Sequence, residues 1–421
     1  MAIAAALIAG LIHRGVFGWY APLWLDETYT GVIASQSSFA GLVEWCRHEL
    51  SGPIFYGGMW LWTKVAGNGD VALRLPSLIC SLGSVATIAA FGGNNRRERL
   101  VWAALAAVWL PGLMFAAQAR PQALLFLLAT VQAIAFWRCM TAFSSRLLMI
   151  WAAAGALMML THVYAVVITG LQCLCIVWTF RARWRDCWPV LIMAVIVAAW
   201  LPQQLSFMMD FMKPGVAWYP KLQFSDFWML PLVLIGDSRA SFVIVAAAIA
   251  ILGAQLSRRW FAEKPMPYSR ADGMLALSGL VSIIIVLVAG LVRPSFTPRY
   301  LIPYIPAALF GITCILCRSR FLWRALPSII LAALAGMAMQ DAIGNANIEA
   351  QQRLYPLEFE HGSNWLMARG ARRVTFLWDS KTGMLSGLDR QAEIGSFFFR
   401  RSGYVAAMRA AYIDHAQQSG S

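Results

Sequence analysis

The stretch 147–180, LLMIWAAAGALMMLTHVYAVVITGLQCLCIVWTF, contains 34 residues and not one charged side chain. A helix that crosses the hydrocarbon layer needs about 20 apolar residues, so this stretch is too long for one span and too apolar for a soluble domain. The more polar sequence THVY at 161–164 divides it. We therefore predict two membrane-spanning helices, 147–161 and 163–180, joined by a turn on the outer side of the membrane.

The chain as a whole is also strongly apolar. Hydrophobic residues make up 60% of the 421 residues and charged residues 13%, whereas a globular domain has about 25% charged residues. This excludes a soluble protein and predicts an all-α polytopic membrane protein with about eleven transmembrane helices. The candidate spans are 1–20, 71–92, 100–117, 122–138, 147–161, 163–180, 188–209, 241–256, 274–292, 300–317 and 325–341.

The basic residues indicate the orientation. Lys and Arg total 34 against 20 acidic residues, a net charge of +14, and fifteen of them lie in five alternate short loops. Short cytoplasmic loops are enriched in Lys and Arg. We therefore place these loops and the N-terminus in the cytoplasm and the last eighty residues outside; a nucleic-acid surface is not indicated. The fifteen residues are Arg96, Arg97, Arg99, Arg138, Arg146, Arg181, Arg183, Arg185, Arg258, Arg259, Lys264, Arg270, Arg318, Arg320 and Arg324.

The first span is interrupted by His13 and Arg14 after a dozen apolar residues. It has neither the basic start nor the small-residue cleavage site of a signal peptide, so we interpret it as a retained anchor. We expect the long side chain of Arg14 to snorkel towards the lipid headgroups. A true start of the protein upstream of Met1 would give the same pattern.

Two segments outside the spans are large enough to carry chemistry. Segment 21–70, here called the roof segment, contains the amphipathic runs 37–50 and 53–66, rich in Trp and Tyr, which is typical of helices that lie in the membrane interface. We expect these helices to cover the outer end of the bundle. Segment 342–421, here called the C-terminal segment, is mixed in charge and predicts a small α/β outer domain appended to a membrane module of residues 1–341.

Three elements are predicted within the C-terminal segment. Residues 363–370 predict a helix that ends at a glycine, 374–378 a short buried strand and 404–417 a second helix. The triplet FFF at 397–399 either packs against an acceptor or fills the core of this domain, and filling the core is the commoner arrangement.

The sequence WLDETYT places two adjacent carboxylates, Asp26 and Glu27, immediately after the first span. Acidic side chains at a membrane boundary are costly unless they are paired or functional. Arg120, Arg293 and Arg299 lie on the same predicted outer side, where the positive-inside trend disfavours arginine. Together these residues predict a site, although solvated loop acids and arginines that contact lipid headgroups would give the same pattern.

Six motifs follow one another in the order WLDETYT, SGPIFYGGMWLW, DVALRLPSL, AQARPQALLFLLA, LTHVYA and PRYLIPYIPAALFG. In this order they resemble the bacterial branch of the protein O-mannosyltransferase and lipid A aminoarabinose transferase superfamily. The resemblance implies the GT-C fold and a glycosyltransferase whose donor is a sugar linked to a polyprenyl phosphate. It also implies that Asp26 is the catalytic carboxylate, with Glu27 beside it, and that Arg120, Arg299 and the adjacent Tyr300 bind the donor phosphate.

The chain departs from the family pattern at two places. Ser51 and Gly52 precede Pro53 where many relatives have His or Lys, and Gln118 replaces the usual acid of the second outer loop. These differences leave open the acceptor class and any metal site that would use those ligands. The two acids of the first motif could bind a divalent cation, but no third ligand is evident nearby.

The chemistry can also be argued from the residues. Outside the cytoplasmic membrane there is no pool of nucleotide sugars, so a sugar must arrive already activated on a lipid carrier. Its phosphate leaving group needs charge stabilisation, which arginine supplies, and the acceptor hydroxyl needs a base, for which we expect Asp26. In-line displacement with a single base would invert the anomeric centre.

Five further residues are predicted to contact the donor or the acceptor: His48, Tyr56, His162, Tyr164 and Lys213. His162 and Tyr164 lie where an outer helix end meets the predicted cavity, although a lone histidine there is more often a hydrogen-bonded structural residue. Lys213 belongs to a loop that could close over the site as a lid, and a solvated loop is the commoner arrangement.

Two other classes of function stay open. A transporter or flippase of lipid-linked sugars would bind near the middle of the bilayer and often has matching halves, whereas the middles of these spans are nearly free of charge and no repeat is visible. A non-catalytic membrane subunit of a polysaccharide export complex is the third class. The sequence identifies neither the sugar, a hexose or a pentose, nor the acceptor, which could be a glycan, a glycolipid or a protein hydroxyl.

Overall fold

The computed structural model describes residues 1–16, 19, 21–213, 221–229, 268–318, 326–354, 359–378 and 387–412, and single positions at 246, 249, 253 and 257. Helices dominate this part of the chain. Before residue 213 they are α1 (Ala2–Val16), α2 (Leu25–Ala34), α3 (Phe39–Cys46), α4 (Pro53–Ala66), α5 (Asp70–Phe91), α6 (Arg96–Ala107), α7 (Leu110–Ala116), α8 (Gln122–Thr141), α9 (Ser145–Met159), α10 (Ala165–Thr179), α11 (Trp188–Ala198) and α12 (Leu201–Phe211). The later ones are α13 (Arg270–Val292), α14 (Ile305–Arg318), α15 (Leu326–Leu354), α16 (Phe359–Ala368), α17 (Gly387–Gly395) and α18 (Phe397–Arg401). The strands are β1 (Arg373–Trp378) and β2 (Ala407–Tyr412), and 3₁₀ helices cover Arg181–Cys187, Phe224–Met229 and Pro298–Tyr304.

The predicted spans correspond to these helices. Within the described residues, five helices are long and apolar enough to cross a membrane, and seven spans result if two bent pairs are each counted as one. Three shorter apolar helices, α1, α9 and α10, match three further predicted spans. Ten of the eleven predicted spans therefore correspond to described helices or bent pairs. The remaining one, 241–256, lies almost wholly outside the described residues. The predicted break at 161–164 is confirmed, because α9 ends at Met159 and α10 begins at Ala165.

Two spans that the sequence predicts as single helices are bent. The axes of α6 and α7 meet at 64°. The 3₁₀ turn at Arg181–Cys187 continues into α11, and together they meet α12 at 53°. In each pair the second helix has a proline in its first turn, Pro111 or Pro202. A proline disfavours helical geometry in the residue before it, and it has no N–H to continue the preceding helix. The chain therefore starts a new helix along a new axis.

Arg14 does not snorkel, contrary to the sequence-based expectation. Its side chain is buried in the bundle, where Nη1 donates to the Ala107 carbonyl at 2.7 Å and Nε to the Ser81 hydroxyl at 2.9 Å. Ala107 is the last residue of α6, and the bend leaves carbonyl oxygens at that end without helical partners. The guanidinium group caps the broken helix, which is why it stays inside. His13 beside it lies 2.8 Å from Asp341 of α15.

One arginine joins three helices at the end of the bundle with the predicted cytoplasmic loops. Arg318, the last residue of α14, donates to Glu98 of α6 at 2.7 Å and to Asp272 of α13 at 2.5 Å. The indole N–H of Trp137, on α8, donates to the same Asp272 at 2.8 Å. Removing one partner of such a buried pair leaves an uncompensated charge, so the group fixes the relative positions of these helices.

The roof segment forms three helices, α2, α3 and α4, of which the last two match the predicted amphipathic runs. Their apolar side chains share a second core with the C-terminal segment. Backbone contacts join the roof to the turn between α9 and α10. The Gly52 N–H donates to the Thr161 carbonyl at 2.8 Å, and Ser51 forms an isolated β-bridge with His162. The roof segment is therefore fixed to the bundle at the turn that contains the predicted site residues His162 and Tyr164.

The C-terminal segment begins inside α15, which runs through the predicted domain boundary to Leu354, and continues in the order α16, β1, α17, α18 and β2. β1 and β2 pair in parallel, with Val374 opposite Met408. The helix predicted at 363–370 and the strand predicted at 374–378 are confirmed, but the strand is not buried as predicted, because Val374 is its one buried residue. The segment is a small α/β unit, as predicted.

The helix predicted at 404–417 is wrong for its described part, because residues 407–412 form β2. The sequence of this strand, AMRAAY, is rich in alanine, which favours helices. Its backbone instead pairs with β1, and this tertiary pairing outweighs the local preference. A parallel pair also needs a crossover connection, which α17 and α18 provide.

The C-terminal segment packs directly on the roof segment. Phe397 lies so close to Gly31 of α2 that a Cβ atom at that glycine would approach the ring to 2.5 Å. Trp45 of α3 donates its indole N–H to Glu393 at 3.1 Å. All three phenylalanines of the triplet 397–399 are buried, so they fill the core of this segment.

We expect Gly52→Ala to destabilise the protein. A Cβ atom there would lie 2.0 Å from the Leu160 carbonyl oxygen, so the roof would have to move away from the turn to which it is bonded. Overpacking of this kind costs roughly 1–3 kcal/mol, and thermal unfolding in detergent should show a lower midpoint. The control is Gly57→Ala in α4, where nothing lies within 4 Å of an added Cβ atom. It should be neutral or slightly stabilising, and equal midpoints for the two variants would contradict the prediction.

Candidate active site

Helix α2 directs Asp26 and Glu27 into different surroundings. It begins at Leu25, so both acids lie in its first turn, where the helix dipole favours carboxylates. Glu27 also accepts a long hydrogen bond, 3.4 Å, from the backbone N–H of Trp24. Successive residues of a helix point about 100° apart. Two adjacent carboxylates on one helix therefore cannot face the same partner.

Glu27 is buried and bonded on both oxygens. Arg74 of α5 donates from Nε to Oε1 at 2.8 Å and from Nη2 to Oε2 at 2.6 Å, and the Ala119 backbone N–H donates to Oε1 at 2.8 Å. Arg74 also donates to the Ala21 carbonyl at 2.7 Å. The pair ties the start of the roof to α5 and to the turn before α8. This geometry suits a positioning residue that supports Asp26. The importance of Arg74, inside the motif DVALRLPSL, was not predicted.

Asp26 lies between two arginines from distant parts of the chain, as the sequence led us to expect. Its Oδ2 is 2.7 Å from Nη1 of Arg299 and 3.4 Å from Nη2 of Arg120. Burial would raise the pKa of Asp26, but the charges of both arginines and the hydrogen bond from Arg299 outweigh it and hold the pKa below its usual value. The side chain of Asp26 is 24% exposed, so a ligand can reach it.

Two polar groups beside Asp26 have no hydrogen-bond partner within the described residues. They are the hydroxyl of Tyr56, fully buried in α4, and Nε of Arg120. Burial raises the pKa of Tyr56, and the charges of Arg120 and Asp26 also act on it, so its hydroxyl lies near the same cluster. A buried polar group without a partner costs roughly 1–3 kcal/mol, and such groups often mark a place for a ligand or water.

Glu49, between α3 and α4, interacts electrostatically with the same cluster and was not predicted from the sequence. Burial raises its pKa to about 7; Asp26 acts in the same direction, whereas Arg120, Arg299 and Arg390 act against it. Nothing in the sequence HEL distinguishes this residue from an ordinary loop acid. Its proximity to Asp26 results from the packing of the roof helices, which no local motif encodes.

Aromatic residues form a wall next to Arg299. The rings of Tyr164 and Tyr300 stack with centroids 4.5 Å apart, and the ring of His162 lies 5.1 Å from that of Tyr300. The Tyr164 hydroxyl donates to the Ser295 carbonyl, and the Tyr304 hydroxyl donates to the Tyr164 carbonyl at 2.6 Å. This wall fixes the chain just before Arg299, so it determines where that guanidinium group lies.

His162 is neutral in this wall. Burial lowers its pKa to about 3, and the charges of Arg299 and Arg120 act in the same direction. Its Nδ1 accepts a long hydrogen bond, 3.4 Å, from the Tyr164 backbone N–H. The imidazole cannot supply positive charge to a phosphate, so it shapes the site by packing.

Two predicted contact residues do not join the cluster. Nδ1 of His48 lies 2.9 Å from the Glu44 carbonyl of the preceding helix α3, and its ring packs edge-on against Phe207. Lys213 pairs with Asp210 at 2.7 Å and is 65% exposed. The rest of the predicted lid, 214–220, lies outside the described residues.

The acids of the first motif do not fit a shared divalent cation. Arg299 is bonded to Asp26 and Arg74 to Glu27, and the two carboxylates diverge along the helix. In the described part of the chain, no three His, Cys, Asp or Glu side chains come together as a metal site.

The fold is similar to that of known proteins, although the sequence is not. No protein-family model matches the chain, and no curated protein matches it. Two crystal structures of ArnT from Cupriavidus metallidurans are similar to it, each with 15% sequence identity over 99% of this chain and 85% of the ArnT chain. The TM-score is 0.60 for the apo structure and 0.62 for the structure bound to undecaprenyl phosphate. The chain thus has the predicted GT-C fold.

We expect Glu27→Gln to lose much of the stability of the protein. The substitution leaves the buried Arg74 guanidinium without its carboxylate, and breaking a buried pair in this way costs roughly 3–5 kcal/mol. Thermal unfolding in detergent measures the effect. The control is Glu44→Gln on α3, whose side chain is 52% exposed, and it should change stability by no more than about 0.5 kcal/mol. Similar midpoints for the two variants would show that the Glu27 pair is not a structural anchor.

Proposed function

We propose that the protein is a membrane glycosyltransferase that moves a hexose or a pentose from a polyprenyl phosphate to a hydroxyl acceptor on the outer face of the bacterial cytoplasmic membrane. The observation that carries the proposal is the Asp26 carboxylate between the guanidinium groups of Arg120 and Arg299, within a GT-C fold. ArnT, whose fold is similar, binds undecaprenyl phosphate, and this supports the same class of carrier here. The acceptor would be a glycan, a glycolipid or a protein.

The two arginines are suited to hold the donor phosphate. Both approach the carboxylate of Asp26, and Asp26 alone cannot neutralise two guanidinium groups. A phosphodiester can accept paired hydrogen bonds from guanidinium groups, and Nε of Arg120 lacks a partner within the described residues. As the bond between the sugar and the phosphate oxygen breaks, negative charge grows on the phosphate. Cations already in place stabilise that charge.

Asp26 is suited to accept the proton of the acceptor once the donor is bound. In the free protein the arginines keep its pKa low, so it is a weak base. A bound phosphodiester competes for the same guanidinium groups, and the pKa of Asp26 rises as they turn to the phosphate. The acceptor hydroxyl then gives its proton to Asp26 while its oxygen attacks the anomeric carbon. The phosphate leaves with the bonding electron pair, and one in-line displacement inverts the anomeric configuration.

The substitution Asp26→Asn should separate binding from turnover. It removes the base, so kcat should fall by about 10²- to 10⁴-fold. It also removes the anion that competes for the arginines, so donor affinity should be unchanged or higher. Transfer by the purified protein from a defined polyprenyl-phosphate sugar measures both. Full transfer by the variant would rule out Asp26 as the base.

For the wild-type protein, movement of the lipid-linked sugar without turnover would instead indicate a transporter, and neither activity would indicate an export subunit.

The substitution Arg299→Gln should raise the donor KM. Loss of a charged hydrogen bond costs about 1.5–3 kcal/mol, which corresponds to roughly a 10- to 100-fold increase. The matched control is Arg293→Gln, an exposed arginine six residues earlier on the same connection. It should leave the donor KM unchanged. Equal kinetics for the two variants would argue against a phosphate-binding role for Arg299.

A further inference from the structure

Glu49 is held in a fixed position beside the proposed site. It lies in the short connection between α3 and α4, which is bonded on its C-terminal side to two other parts of the bundle. The side-chain amide of Gln204, on α12, donates to the Leu50 carbonyl at 2.8 Å. The Gly52 N–H donates to the Thr161 carbonyl at 2.8 Å. The carboxyl group therefore does not belong to a loose loop, and its surroundings are set by the fold.

Charged and titratable groups from several elements of the fold act on Glu49. Asp26 approaches from α2, Arg120 from the turn before α8 and Arg299 from the 3₁₀ helix before α14. Arg390 on α17, Cys46 on α3, Tyr56 on α4 and Tyr29 on α2 also interact electrostatically with Glu49. Of these arginines, Arg390 already pairs with the Glu44 carboxylate at 2.9 Å. Glu49 itself forms no hydrogen bond or ion pair with any described residue.

The charge of the pocket depends on the protonation of this carboxyl group. When Glu49 is ionised, two carboxylates face the two guanidinium groups of Arg120 and Arg299, and the pocket is neutral. When Glu49 is protonated, Asp26 alone opposes them, and one positive charge is left. A phosphodiester carries a single negative charge, so it matches the protonated pocket. Burial raises the pKa of Glu49 to about 7, and both forms are therefore populated near neutral pH.

We propose that Glu49 takes up a proton from solvent when the donor binds, and that this proton gives the pocket the positive charge with which it holds a phosphodiester. The inference rests on the proposed function and deepens it, because it names the charge state of the anion that the site selects. The protonated carboxyl group also gains an O–H donor for a phosphate oxygen. By linkage, the factor by which the proton strengthens anion binding equals the factor by which the anion strengthens proton binding.

The test is the affinity of the purified full-length protein for a short-chain polyprenyl methyl phosphodiester between pH 6 and pH 8.5. This probe keeps one negative charge over the whole range, whereas a phosphate monoester would itself titrate near pH 6. We expect the wild-type Kd to rise roughly five- to tenfold across the range, because one unit of pKa change on binding is worth at most tenfold in affinity. Calorimetry in buffers of different ionisation enthalpy should show proton uptake near pH 7.5.

Glu49→Gln should bind the probe at every pH as tightly as the wild-type protein does at pH 6, without proton uptake. Asp210→Asn, which removes an exposed carboxylate on α12, is the matched control and should keep the wild-type pH dependence. Glu49→Asp is a second variant for the case that the glutamine protein does not fold. Its pH dependence should remain, with a midpoint at lower pH, because aspartate has the lower ordinary pKa.

The outcomes separate this inference from the proposed function. A wild-type Kd that does not change with pH, or a Glu49→Gln protein that keeps the wild-type pH dependence, would overturn the role of Glu49 alone. Absence of probe binding by the wild-type protein at every pH would overturn the proposed function and the inference together.

Discussion

The buried pair of Glu27 and Arg74 is the contact on which the candidate site depends. It joins the first turn of α2 to α5, and through the Ala119 N–H it also holds the turn from which Arg120 extends. Removing either partner would leave a charge inside the protein, so the pair strongly favours one placement of α2. With α2 fixed, the helical periodicity turns Asp26 away from this contact and towards the arginines. Glu27 anchors the helix, and Asp26 remains available to a ligand.

The three carboxylates of the roof differ in how completely arginine neutralises them, and this difference orders their roles. Glu27 is fully engaged and buried, Asp26 is shared between two arginines and partly exposed, and Glu49 lies in the field of the same cations without being bonded to one. The pKa values of Asp26 and Glu49 are shifted in opposite directions by these environments. Groups whose pKa values diverge in one pocket are suited to different steps of proton chemistry.

Much of this could be predicted from the sequence, because apolar length and loop charge act locally. They located ten apolar helices or bent helix pairs in the described residues, of which up to seven are long enough to cross a membrane. The first-loop acid and the two outer arginines meet as expected. Features set by tertiary contacts were missed. Arg14 stays inside because a bent helix offers it free carbonyl groups, and residues 407–412 form a strand because β1 provides a partner. Glu49 has no local signature, since its neighbours come from α2, α17 and two distant turns.

The ion pairs of Asp26 also explain how a site for an anion can exist in a stable empty protein. Two guanidinium groups in a partly buried pocket repel each other and need a counter-charge. Asp26 supplies that charge when no ligand is present, and a phosphodiester can replace it without leaving either arginine unpaired. Under the proposed function, donor binding is thus an exchange of one anion for another. The displaced carboxylate regains its basicity only when the leaving group is in place, so proton abstraction is tied to the presence of the donor.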